Sequence, residues 1–67
     1  MKYVNKIINT ILYMKKHSSF EQKWIKSELL FNIIDDTAPY ITDELKTAIA
    51  IEVSEILAKE YDIYGYD

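Results

Sequence analysis

Only Gly65 and Pro39 punctuate this chain of 67 residues. With so few backbone breakers, a turn-rich β architecture is disfavoured and long helices are expected. Length narrows the routes to stability further. A domain this small buries about 60% of the surface that its unfolded chain exposes. Such domains usually add disulfides, a metal or a second subunit. Cysteine is absent and His17 is the sole histidine, so there is no disulfide, and no structural zinc site with its usual four N or S ligands. Tight helix packing and self-association remain. A hydrophobic fraction of 49% is too high for a disordered chain.

Three periodic segments follow one another. Over about residues 2–17, Val4, Ile7, Ile8, Ile11, Leu12 and Met14 fall on one side of a helix, with Tyr3 at the edge. Lys2, Asn5, Lys6, Asn9, Tyr13 and Lys16 fall opposite. Lys15, Lys16 and His17 suit the negative end of its dipole, and His17 reads as an exposed helix-terminal residue.

Ser18 with Glu21, and Ser19 with Gln22, have the spacing of a capping box, which predicts a second helix over about residues 19–34. Its apolar residues form two stripes. Phe20, Trp24, Leu30, Phe31 and Ile34 lie on one side and read as core aromatics and aliphatics. Ile25, Leu29 and Ile33 lie nearly opposite at four-residue spacing. A helix apolar on two faces is either central to the fold or in contact with something else. Asp35 to Tyr40, with Pro39, reads as a turn. Thr42 is the expected N-cap of a third helix over about residues 42–62, with Asp43 and Glu44 in its first turn. Leu45, Ile49, Val53, Ile56, Leu57 and Tyr61 make its expected buried face, and residues 63–67 a short frayed tail whose tyrosines could cover a core edge.

The fold expected is therefore all-α, a small three-helix bundle in one domain, assembling as a homodimer or meeting a partner through Ile25, Leu29 and Ile33. Charge is split along the chain. Residues 1–27 carry six lysines against Glu21, net +5, and residues 28–67 carry ten carboxylates against Lys46 and Lys59, net −8, which together give the −3 of the whole. Glu44, Glu52, Glu55 and Asp62, with Ile51 among them, make an acidic face suited to a basic partner. Lys2, Lys6 and Lys16 make a basic face, but arginine, the preferred reader of guanine, is absent.

No run approaches the roughly 20 apolar residues of a membrane span. The N-terminus lacks the continuous apolar core of a secretory leader, so a cytoplasmic protein is expected. No convergent nucleophile, base or phosphate-cradling glycine loop is legible, and Asp35-Asp36 lacks the ligand ladder of a calcium loop. The expected role is non-catalytic, without cofactor or metal. The chain would be a small interaction protein that docks on a larger cytoplasmic protein and modulates it, as regulators, inhibitors and phage-type accessory proteins do. The alternatives are an acidic mimic of nucleic acid and, behind it, a weak nucleic-acid binder using the basic face. The partners expected are a second copy and an unidentified protein, not nucleic acid or membrane.

Overall fold

The computed structural model describes residues 2–17 and 23–66, with the backbone alone for Lys2 and Tyr66. Five elements follow in order: α1 (Lys2–His17), β1 (Trp24–Lys26), α2 (Ser27–Thr37), α3 (Asp43–Tyr61) and β2 (Tyr64–Tyr66). The molecule is thus mostly helical, with a small sheet added. β1 and β2 pair in parallel, Trp24 opposite Tyr64, Ile25 opposite Gly65 and Lys26 opposite Tyr66. Parallel strands require a crossover, and here α2 and α3 together supply it.

The helix termini follow local chemistry. Thr42 caps α3 as expected, its hydroxyl oxygen accepting from the Leu45 N–H at 3.2 Å. Helix α2 continues through Asp35 and Asp36, which the sequence placed in the turn. It stops at Ala38, whose φ of −140° and ψ of 72° are non-helical, as the residue before Pro39 must be. The Ala38 N–H still donates to the Ile34 carbonyl at 2.9 Å.

The second helix begins later than expected. Trp24, Ile25 and Lys26 are a strand, with Ile25 inward and its neighbours outward. Alternation of period two explains this: one aliphatic residue between two exposed ones suits a strand on a core edge. The serine capping boxes lie outside the described residues.

The tail also departs from expectation. Asp62 ends α3 in the left-handed region, with φ 57° and ψ 37°, a conformation that short polar residues tolerate. The Ile63 N–H then donates to the Leu57 carbonyl at 3.0 Å, the long bond of a Schellman-type cap. This reversal returns the chain onto the protein. Ile63 is 0% exposed, and Tyr64–Tyr66 run on as β2 instead of fraying.

The core joins all of these parts. Val4, Ile7, Ile8 and Ile11 come from α1, Ile25 from β1, Leu30, Ile33 and Ile34 from α2, and Ile49, Ala50, Val53 and Leu57 from α3, with Ile63 closing one end. Among the described residues, no polar or charged side chain is buried. Trp24 and Phe31, expected inside, are exposed, and so are parts of Leu45 and Tyr61 from the expected face of α3.

Ile63→Ala therefore removes a fully buried side chain and should cost about 2–4 kcal/mol. A domain of this size has in total roughly 3–10 kcal/mol. Urea unfolding should show the midpoint falling at unchanged m value, whereas a shift below about 0.5 kcal/mol, the size typical of surface substitutions, would mean that the tail is not part of the core.

Candidate interaction surface

Helices α2 and α3 form a hairpin. Near the connecting turn, the Lys46 ammonium meets the Asp35 carboxylate at 2.7 Å. Away from the turn, Ser27 at the start of α2 lines the same groove as Ser54 and Glu55 far along α3. Between these ends the groove is lined by Leu30, Phe31, Thr47, Ala50 and Ile51. Leu30 and Ala50 are buried and form its floor, while Phe31 (38% exposed) and Ile51 (58% exposed) rise at its sides. The Thr47 hydroxyl donates to the Asp43 carbonyl at 3.0 Å, so one polar group of the lining is already engaged.

The lining is apolar for a local reason. Phe31 sits one position on from Leu30, so it cannot follow Leu30 into the core of a helix with 100° between residues. Ile51 stands in the same relation to Ala50. Both are apolar residues at the border of a buried stripe, carried outward by helical geometry.

The residues singled out in the sequence are distributed differently from expectation. Ile25 (3% exposed) and Ile33 (7% exposed) are sealed within one protomer, and Leu29 is half-buried against the same core. The three do not share a helix face, because Ile25 belongs to β1. Their four-residue spacing is the accident of a strand residue followed by two helical ones, and the spare apolar stripe that argued for a homodimer does not exist. Leu29 and Ile33 line a second groove, between α1 and α2, together with Met14, Lys6 and Asp36.

On α3, Glu44, Ile51, Glu52 and Glu55 are all exposed, and Glu44 to Glu55 spans about 16 Å at helical rise. Asp62 stands apart from that row. Its carboxylate accepts from the Tyr64 hydroxyl at 2.8 Å and lies 3.5 Å from the Lys23 ammonium. Lys6 and Lys16 are exposed on α1. Lys6 shares its groove with Asp36, which interrupts the expected basic face. The Lys2 side chain lies outside the described residues.

What the sequence did not reveal is the placement of the aromatics. Trp24 (52% exposed) and Tyr64, opposite one another in the sheet, have ring centroids 5.8 Å apart on its outer side. Tyr13 and His17 approach to 4.4 Å on α1. Tyr13, Phe31, Tyr40 and Tyr61 are also exposed, and among the described aromatics Tyr3 alone packs, half-buried, against the core. Hydropathy ranks aromatic rings with the aliphatics, so only the tertiary packing separates the two groups.

Compared with protein-family models, curated proteins and solved structures, the chain has no match. No helix is long and apolar enough to cross a membrane among the described residues.

Two ion pairs shift titrations. The hydrogen bond from Tyr64, and then the charge of Lys23, hold the Asp62 carboxyl below its usual range, while Asp62 raises the Tyr64 hydroxyl. Asp35 raises Lys46, first by their hydrogen bond. A depressed carboxylate favours the fold above its ordinary pKa, and the effect is lost as pH falls through the folded value. Raised tyrosine and lysine values act at the other end, their effect lost as pH rises through them. Tyr64→Phe should therefore move the Asp62 titration upward, read from the side-chain carboxyl carbon by NMR; an unmoved value would mean that the hydrogen bond does not form in solution.

Proposed function

We propose that the protein is a non-catalytic interaction protein that docks on a larger cytoplasmic protein through the α2–α3 face and modulates it. One observation carries this reading. Apart from Tyr3, which packs half-buried against it, the described aromatics are exposed around an aliphatic core, and two large apolar side chains, Phe31 and Ile51, flank an open groove. Aromatic residues are enriched at protein interfaces and charged ones depleted at their centres. Full burial of a Phe or Ile is worth roughly 1.5–3 kcal/mol, so covering what remains exposed offers about 1 kcal/mol for each.

Two further features support a binding role over a chemical one. The core supplies no titratable group among the described residues, and the groove is open along its length with a single carboxylate, Glu55, in its lining. Catalysis draws on convergent polar groups in a water-excluding pocket.

The alternative of an acidic nucleic-acid mimic uses Glu44, Glu52 and Glu55. Their row is short, Ile51 interrupts it, and Lys59 follows on the same side, so we place the apolar contact at the centre and the carboxylates around it. Ile25 and Ile33 are already covered, so we assign any pairing of two copies to this same face.

The test is differential capture. A partner retained from source-cell extract by the wild-type chain, and then reconstituted pure, should be lost by Ile51→Asp and weakened about tenfold or more by Phe31→Ala. Tyr40→Asp, at a fully exposed turn position, should retain it. Circular dichroism and urea midpoints should match the wild type for Ile51→Asp. Undiminished capture by Ile51→Asp would refute this face as the docking site, and sedimentation of the chain alone would show whether the partner is a second copy.

A further inference from the structure

Resting on that docking role, we propose that the occupant of the α2–α3 groove is a cationic amphipathic helix of the partner protein. Two arguments converge on it, one from the backbone and one from charge.

The groove is built from two helices, whose interior N–H and C=O groups bond within each helix. It therefore offers no ladder of free main-chain donors and acceptors to an extended segment, as a sheet edge would. An occupant of an apolar groove must satisfy its own backbone as it loses water. A helix does so, and its side-chain ridges fit the furrow between two helices. Phe31 and Ile51 stand where an apolar stripe with i, i+3, i+4 and i+7 anchors would lie between them.

The charge surrounding the groove sets the occupant's sign. Helices α2 and α3 together carry eight carboxylates against Lys46 and Lys59. Of these two, Lys46 is held by Asp35 and its side chain is 19% exposed. Glu28 lies one turn before Phe31 on α2, and Glu52 and Glu55 lie beside and one turn after Ile51 on α3; all three are exposed. Carboxylates thus stand on both banks of an apolar furrow. A helix with lysines or arginines flanking its apolar stripe meets apolar surface at the centre and opposite charge at both margins. An acidic helix would set like charges together across a partly desolvated contact. The α1–α2 groove, lined by Met14, Leu29 and Ile33, carries Lys6 and Asp36 together and so has no margin of one sign.

The test uses the full chain and three synthetic peptides of about 16 residues, a length of roughly four helical turns. The first is an amphipathic leucine–lysine helix. The second is the same peptide with glutamate for lysine. The third has the lysine peptide's composition scrambled so that no apolar face exists. Amide shifts on adding the first peptide should concentrate at Phe31, Thr47, Ile51, Ser54 and Glu55. Affinity should fall at least tenfold between low and high salt, and at least tenfold for Glu52→Lys with Glu55→Lys. The other two peptides should bind at least tenfold more weakly.

Equal binding of the glutamate peptide, or shifts centred on α1 or on the sheet, would overturn the proposal. If the lysine peptide fails while Ile51→Asp still abolishes capture of the natural partner, the groove docks a partner of other chemistry and only this inference falls. If both fail, the docking role falls with it.

Discussion

Branched aliphatic side chains from α1, β1, α2 and α3, and Ile63 just before β2, meet in one core, and the fold depends on that core closing. Among the described residues the buried side chains are isoleucine, leucine, valine and alanine. Such side chains have few rotamers and pack to crystal-like density without polar partners. Closure at one end requires Ile63, and Ile63 reaches the core because Asp62 adopts left-handed angles just after α3. Reversal at Asp62 therefore also creates β2, which pairs with β1 and turns Ile25 inward. One backbone conformation near the C-terminus links the last helix, the sheet and the segment after α1.

The same closure determines the surface. A core filled by aliphatics leaves most rings outside, Tyr3 alone packing half-buried against it among those described, and their placement follows the geometry of each element. Trp24 and Tyr64 face outward because strand neighbours alternate about Ile25 and Ile63. Phe31 and Ile51 face outward because each follows a buried residue on its helix. Part of the apolar area that the fold does not use, Phe31 and Ile51, thereby flanks the groove between α2 and α3, on helices that carry eight carboxylates. The binding role proposed above follows from this division of labour between aliphatic and aromatic residues.

Helices α1 and α3 were legible in the sequence because periodicity over four or five turns is a local signal, and Thr42 and Pro39 announced their turn. The two strands were not legible. Each has three residues, and their partners lie about forty residues apart in sequence, so no window contains both. The spacing of Ile25, Leu29 and Ile33 imitated a helix stripe for the same reason: a strand residue was read in register with the helix that follows it. Of the candidate site, Ile51, Glu52 and Glu55 were legible on α3, but their partner across the groove, Phe31, was assigned to the core. An amphipathic pattern shows that a residue borders the apolar stripe; whether it is covered depends on a neighbouring helix whose path the pattern does not contain.

The most direct test of an aliphatic core with excluded rings is the fluorescence of Trp24, the chain's single tryptophan. Emission from the native protein should lie close to that of the urea-unfolded chain, and acrylamide should quench it at a comparable rate. A strongly blue-shifted, quencher-resistant emission that moves red on unfolding would place the indole in the core and contradict this account.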